Sequence, residues 1–281
     1  MAPQDAVQGW DEDANAEAYE AFTRAHPMYE ATSRDLAGRA QLSYADLVVD
    51  LCGGAGATAR AILDLVPDRA RVVSVDNAAA MQRAGRRTLT DARLTWVTAP
   101  AEHLAEHVPA SGVDAVVCNS AIWKTDTAAV FAAVSRVLRP GGRFAFNIGG
   151  GFAGVRHPDE EAVRTGPSLN ALIRHAAARI YGRISLSTAG ESPFKLPLET
   201  VTEQLAATGL AVVDTEVIAQ HSTMAEKKAW LSIPVFALPE GDLTHAQRMR
   251  ILDAAYARTT PDSPTVTSWL VVVAQRPEAT E

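Results

Sequence analysis

The feature that most constrains this chain is the run Val48-Val49-Asp50-Leu51-Cys52-Gly53-Gly54-Ala55-Gly56-Ala57-Thr58. An apolar, β-branched stretch that meets an acid and then a glycine cluster reads as a buried strand over 47–51, its end, and a tight turn. The periodic stretch 57–65, stopped by Pro67, reads as a helix that begins at the turn. Glycines are needed where a ligand lies against backbone, because a Cβ would push it away, and the following helix offers unpaired N–H groups and a positive dipole end. Strand, turn and helix together predict a nucleotide-type site. A phosphate-cradling P-loop is excluded, since no Gly-Lys-Ser/Thr follows. Gly54, Gly56 and Ala59 satisfy the loose dinucleotide pattern G-x-G-x-x-A, but Asp50 at the strand end would repel a pyrophosphate and favour a cationic ligand.

A second apolar run, 71–76, also closes on an acid, and Asp76 falls 20 residues after Gly56. A carboxylate at the tip of the second strand of a doubly wound sheet can accept both hydroxyls of a ribose. Further strands are predicted over 94–99, 114–118 and 143–148, separated by helical stretches, and that alternation implies a parallel sheet with right-handed crossovers. The helix before the fifth strand carries Val130, Phe131, Val134, Val137 and Leu138 on one stripe, with Pro140-Gly141-Gly142 as its stop. Gly149-Gly150-Gly151 then leads into an insertion at about 152–196 with one strong helical run, 169–181. A helix from Thr200, with Glu203 as a capping box and Val201 and Leu205 inward, ends near Gly209. Strands are expected over 210–217 and 266–275. Between them lies a second insertion, at about 221–264, with Trp230–Phe236 and a helix capped by Thr244 and Gln247 that turns Met249, Leu252 and Tyr256 inward. It reads equally as a substrate wall or a homodimer contact.

Ahead of the sheet, residues 1–14 read as a disordered acidic leader. Ala16, Tyr19 and Phe22 recur at helical spacing up to about His26, and a second helix is expected over 33–42, with Met28 and Tyr29 in the link because Pro27 interrupts the pattern. The organisation expected is a leader and lid (1–42) followed by one α/β domain (43–281). Of the 281 residues 47% are apolar and 21% charged, and 26 basic against 33 acidic residues leave a net charge of -7. That balance argues against nucleic acid or an anionic membrane as partner and favours a small molecule. No run of 18 apolar residues occurs and the first residues are not signal-like, so a cytoplasmic protein is expected. Cys52 and Cys118 stand at the ends of neighbouring strands and read as packing residues rather than a disulfide.

The segment Asp50–Gly56, followed by Asp76, Ala101-Glu102-His103-Leu104, Val113–Ser120 and Leu138–Gly142, resembles the class I S-adenosylmethionine-dependent methyltransferases of small-molecule type. The resemblance covers about residues 50–147. It implies an α/β fold with a doubly wound, Rossmann-like, seven-stranded sheet of order 3-2-1-4-5-7-6, its last strand antiparallel, with a helical lid and insertions. The cofactor implied is S-adenosyl-L-methionine. On this resemblance Gly53, Gly54 and Gly56 receive the methionine portion, Asp50 favours its ammonium, and Asp76 takes the ribose hydroxyls. Asn77 flanks the adenine with Met81 among the cofactor residues, Ala101 and Glu102 form its other edge, and Asn119 closes on the sulfur side. Pro100 stands where the family often has an acid, which leaves the adenine amine to Glu102 or a backbone carbonyl. An N-terminal helical segment should lie over the cofactor, with Tyr29 as its contact.

Methyl transfer is an in-line displacement at an activated carbon, so the protein mainly aligns the reactants and, where required, removes a proton. Base candidates are His26, His157, His175, His221, Tyr19 and Tyr29, with His157 first because it sits in the insertion after the fifth strand, and Tyr29 beside it. Trp123, Phe152 and Trp230 are expected to form an aromatic substrate wall. Asn119-Ser120-Ala121-Ile122-Trp123 lacks the prolines of base- and amide-modifying members. Cys118, Asn119 and Asn147 supply no carboxylate cluster for a magnesium ion, and no His/Cys spacing suits zinc. The expectation is a methyltransferase of secondary metabolism acting on a carbon or oxygen of a small metabolite. The alternatives are an S-adenosylmethionine-binding isomerase or cyclase, or a non-catalytic cofactor-binding module. A nicotinamide dehydrogenase is disfavoured by Asp50 and by residues 138–142.

Overall fold

The computed structural model describes residues 9–164, 166–182 and 196–278. In chain order the elements are α1 (Asp13–Ala25), α2 (Met28–Arg39), β1 (Leu47–Leu51), α3 (Ala57–Leu63), β2 (Arg71–Asp76), α4 (Ala79–Thr88), β3 (Leu94–Thr98), β4 (Val113–Cys118), α5 (Thr127–Val137) and β5 (Leu138–Gly149). After them come α6 (Gly150–Ala153), α7 (Pro158–Ala162), α8 (Leu169–Tyr181), α9 (Leu198–Ala207), β6 (Ala211–Thr223), α10 (Met224–Leu231), α11 (His245–Tyr256) and β7 (Pro264–Gln275).

The strands form one sheet in the expected order, β3-β2-β1-β4-β5-β7-β6. Strands β1 to β5 pair in parallel, while β7 runs antiparallel to both β5 and β6. Both faces of the central strands are covered, which is why β1 and β4 read as continuous apolar runs. On one face Val49, Leu51, Val116, Phe144 and Phe146 pack against Val130, Phe131 and Val134 of α5 and Val201 and Leu205 of α9. On the other, Val48, Val72, Val117 and Ala145 meet Leu36 and Ala37 of α2 and Ala59 and Ile62 of α3. A third, smaller core joins Leu172 and Ile173 of α8, Leu231 of α10, and Ile251 and Leu252 of α11 into a cap. No helix among the described residues is long and apolar enough to cross a membrane.

Several boundaries differ from the sequence reading, each for a local reason. The second helix starts at Met28, not near Ser33. Pro27 takes the cap position, at φ -75° and ψ -3°, where a missing N–H costs nothing, so Met28 and Tyr29 form the first turn. The leader expected to be disordered through residue 14 is ordered from Gly9 onward within the described residues, where Asn15 Nδ2 donates to Gly9 O at 2.6 Å; residues 1–8 lie outside them. Pro140-Gly141-Gly142 does not stop a helix. Helix α5 ends at Val137, Leu138 already pairs with Val113, and the glycines carry a register shift before Ala115 meets Arg143. The helix expected from Thr200 begins at Leu198 without a side-chain cap. By contrast, α8 spans the expected 169–181 and α11 has the expected Thr244–Gln247 capping box, although Ile251 and Ala255 join Leu252 inside while Met249 and Tyr256 are half-buried. Of the expected first insertion, residues 165 and 183–195 lie outside the described residues.

The centre of the larger core is a trio of rings. Phe131 lies 5.9 Å from Phe144 and 5.6 Å from Phe146, all three fully buried. Phe131→Ala should therefore cost about 3–5 kcal/mol of unfolding free energy, from lost burial plus the cavity left behind. Urea titration checks this, and a loss below about 1 kcal/mol would mean that α5 does not key the sheet.

Candidate functional site

The carboxyl ends of β1, β2 and β4 open onto a cavity of about 1200 Å³ whose walls also include residues of α1, α2, β7 and the cap helices α8, α10 and α11. Its floor is the glycine turn. Gly53 N donates to Val75 O at 3.1 Å, and Gly54 N donates to Asp76 Oδ2 at 2.9 Å. Gly54 has φ +53°, and a Cβ there would come within 3.0 Å of Met81 Cε at the cavity wall. Two further residues, Cys52 at φ 56° and Ser120 at φ 58°, adopt left-handed backbone at the ends of β1 and β4. Non-glycine residues held there cost on the order of 1–3 kcal/mol each, and such strain clusters at ligand sites.

Nine of the expected cofactor residues line this cavity: Tyr29, Gly53, Gly54, Asp76, Asn77, Met81, Ala101, Glu102 and Asn119. Asp50 and Gly56 do not. The Asp50 carboxylate lies under the turn, fully buried, where Ser74 Oγ donates to it at 3.0 Å and a Cβ on Gly53 would fall onto both groups. A direct contact between Asp50 and a ligand ammonium is thereby corrected. Burial pushes its carboxyl up to about 7, against the Ser74 hydrogen bond and with a smaller push from the charge of Asp76. Gly56 is set by packing, since a Cβ there would stand 2.6 Å from the Trp96 ring.

Asp76 is the acid that faces the cavity. It accepts from Gly54 N through Oδ2 and from Ala78 N through Oδ1, at 2.9 and 2.8 Å. Burial raises its carboxyl, while those N–H groups and the nearby Lys124 hold it down. Each oxygen keeps a lone pair with which to accept from a diol. Lys124, absent from the sequence reading, stands 4.5 Å over the Trp10 ring. Burial lowers its ammonium, and Cys52 and Asp76 oppose that shift. Glu102 Oε1 accepts from Asp126 N at 2.9 Å, which anchors the wall beside Ala101.

Asn119 ties the end of β4 to the lid. Its Nδ2 donates to Thr32 Oγ1 at 3.1 Å and Ser33 Oγ at 2.9 Å, and its Oδ1 accepts from Asn147 Nδ2 at 2.9 Å. Tyr29, buried in α2, sits 5.0 Å from Tyr19, and its hydroxyl accepts from Trp230 Nε1 at 3.1 Å. Trp230 in turn stacks on Phe236 at 4.0 Å, so it belongs to the lid cluster with Tyr29 and Trp10 rather than to the expected wall with Trp123 and Phe152. That wall exists without it: Trp123 stacks on Phe152 at 5.0 Å and lies 6.0 Å from Trp269. Gln220 bridges wall and lid, accepting from Trp269 Nε1 at 2.9 Å and donating to Met28 O at 2.6 Å.

The expected base is corrected. His157 caps α7, with Nδ1 accepting from Asp159 N at 3.1 Å, and does not line the cavity. No histidine among the described residues does. His26 stacks on Phe22, His221 pairs with Asp159, and His175 is exposed. Burial pushes both Tyr19 and Tyr29 upward, Tyr19 strongly, so both phenols stay protonated near neutral pH and Tyr29 is a hydrogen-bonding group, not a base. Cys52 and Cys118 are free thiols, as expected. Among the described residues no group of three or more His, Cys, Asp or Glu is placed to hold a metal ion. Sequence reasoning missed Trp10, Lys124, Gln220 and Trp269. A lone tryptophan in an acidic leader was the one available signal; Trp269 is hidden in an apolar strand.

Residues 48–142 match the model of a methyltransferase domain family. Among solved structures, phosphoethanolamine N-methyltransferase 2 of Haemonchus contortus in complex with S-adenosyl-L-methionine is 16% identical, with 99% of this chain and 60% of that chain covered and a TM-score of 0.57. The YcgJ protein of Bacillus subtilis is 17% identical over 89% of this chain and 100% of that chain, at 0.53. The [4+2]-cyclase SpnF is 12% identical over 89% and 82%, at 0.54. No curated protein matches the chain. The likenesses show that the chain shares the seven-stranded, Rossmann-like fold of these proteins, and the family match covers residues 48–142.

The buried Asp50 makes stability depend on pH. An unfolded carboxyl ionises in the ordinary range, whereas the folded one holds its proton to about 7. Between those values the native state binds more protons, so this group makes stability fall as pH rises, by on the order of a few kcal/mol from about pH 4 to 7. Asp50→Asn should flatten that slope in denaturant titrations across the window. An unchanged slope would mean that Asp50 ionises normally.

Proposed function

We propose that this protein binds S-adenosyl-L-methionine in the cavity and transfers its methyl group to a carbon or oxygen of a small metabolite. The observation that carries the reading is Asp76: a carboxylate bridging Gly54 N and Ala78 N, at the end of β2, facing the cavity beside a turn without side chains. The methyltransferase domain over 48–142 supports it, as does the presence of S-adenosyl-L-methionine in the Haemonchus enzyme of like fold.

In this reading Asp76 accepts the ribose hydroxyls, Gly53 and Gly54 admit the methionine portion, and Asn77, Met81, Ala101 and Glu102 border the adenine. Asn119 and Tyr29 close the sulfur side, and Trp123 and Phe152 hold the acceptor. The bound cofactor supplies a methyl on a positively charged sulfur, a strong electrophile. What remains for the protein is alignment and exclusion of water. The rings of Trp10, Tyr19, Tyr29, Trp230 and Phe236 suit exclusion. With His157 outside the cavity and both phenols protonated, the reading favours an acceptor nucleophilic enough to need no base from a histidine. The lining of the cavity by Trp230, Leu231 and Phe236 supports a wall role for the 221–264 segment rather than a homodimer contact.

The lack of a histidine on the cavity wall among the described residues also favours a second reading, in which the cofactor stays intact and the aromatic walls of the cavity promote an isomerisation or cyclisation. A metabolite screen with isotope-labelled methyl donor separates the two. Label in a product together with S-adenosylhomocysteine supports transfer, whereas a transformed product without either overturns it.

Asp76→Ala should weaken S-adenosyl-L-methionine binding by about 2–4 kcal/mol, the loss of two hydrogen bonds to a carboxylate. Calorimetric titration reads this directly. Unchanged affinity would remove Asp76 from the ribose.

A further inference from the structure

The cavity does not end at the lid cluster. Its cap side carries three cations from three helices, Arg174 of α8, Lys227 of α10 and Arg248 of α11, in the same cavity as the stacked Trp123 and Phe152. Arg174 and Lys227 form no hydrogen bond or ion pair among the described residues. Arg248 uses its two terminal nitrogens on Ala237 O and Gly241 O, at 3.4 and 2.8 Å, and its buried Nε has no partner. Two acids line the cavity on this side. Glu160 is engaged already, accepting from Ser268 Oγ at 2.5 Å and pairing with Arg156 Nε at 3.5 Å, and Glu240 is exposed.

Half-burying Lys227 with no ion pair among the described residues is unfavourable, and burial lowers its ammonium against the more distant pull of Glu160. The apolar core of the cap is made by Leu172, Ile173, Leu231, Ile251 and Leu252, and neither Arg174 nor Lys227 contributes to it. Such a cost persists where a ligand of opposite charge offsets it. The stacked indole and phenyl rings on the wall of the same cavity suit a flat, apolar body.

We propose that the cap side of the cavity is a subsite for an acidic group, carboxylate or phosphate, on a molecule whose planar body lies against Trp123 and Phe152. Lys227 and Arg174 take the acid. Resting on the function proposed above, this makes the methyl acceptor an anionic aromatic or similarly flat metabolite, held with its acid toward the cap and its reacting atom toward the glycine turn.

The test uses the full chain with S-adenosylhomocysteine at saturation, titrated calorimetrically with phenyl phosphate, benzoate and benzyl alcohol. At least one acid should bind about tenfold more tightly than the alcohol, and Lys227→Gln or Arg174→Gln should each remove on the order of tenfold of that affinity. Affinity for S-adenosylhomocysteine should not change in either variant. Phenyl phosphate ahead of benzoate identifies a phosphorylated acceptor, and the reverse a carboxylic one. Equal binding of all three probes, or variants that bind the acids as the parent does, overturns the subsite. Arg174 is exposed, so its variant folds and decides the matter should Lys227→Gln not. Failure of the parent to bind S-adenosylhomocysteine, with selective binding of the acids retained, would sink the methyltransferase reading and leave the subsite standing.

Discussion

The arrangement of the site depends on a chain of short polar contacts at the carboxyl ends of the central strands. Asn147, fully buried near the end of β5, accepts from Ser120 N at 2.7 Å and donates to Asn119 Oδ1. Asn119 donates to Thr32 and Ser33 of α2, and the Ser33 and Thr58 hydroxyls lie 2.9 Å apart, joining α2 to α3. Each such bond contributes only about 0.5–1.5 kcal/mol net, but Thr32, Ser33, Thr58 and Asn147 are buried, so losing a bond to one of them leaves it unsatisfied at a further cost of about 1–3 kcal/mol. The relay also holds Ser120 in left-handed backbone, which turns the chain after β4 toward Trp123. Lid, glycine turn and aromatic wall thus share one set of fasteners.

The two acids at the strand ends divide the electrostatic work. Asp50 and Asp76 close adjacent strands, yet one is sealed under Gly53 and the other opens to the cavity. The charge of Asp76 raises the Asp50 carboxyl only as a smaller contribution beside burial. Backbone N–H groups hold Asp76 as an acceptor, while Ser74 alone among side chains answers Asp50. Of these two carboxylates only Asp76 lines the cavity, and Asp50 supports the turn from below.

Two ends of one cavity carry different chemistry. Toward β1 and β2 the wall is backbone, small residues and a carboxylate; toward the cap it is aromatic and basic. The cap has its own apolar core, so its residues facing the cavity can vary without disturbing the sheet. The fold is shared with proteins as different as an N-methyltransferase and a cyclase, so the fold by itself does not fix the chemistry.

The sequence by itself determined the sheet. Strand-sized apolar runs closing on Asp50, Asp76 and Cys118 leave few topologies, and the glycine turn is local chemistry, readable wherever a backbone must come close to a ligand. The residues that line the cavity at the strand ends were legible for the same reason, since the pattern already set the position of those ends. Only the tertiary structure decided which side chains face the cavity. Asp50 and Asp76 look alike in sequence, but the crossing of β1 beneath its own turn buries the first. His157 looked like a base until α7 took its nitrogen as a cap, and Pro27 looked like a break until it proved to be a start that carries Tyr29 into the lid. Trp10, Lys124, Lys227 and Arg174 are separated by more than two hundred residues and share one cavity through the packing of helices far apart in the chain. No local period records that meeting, because it depends on long-range burial rather than on neighbouring residues.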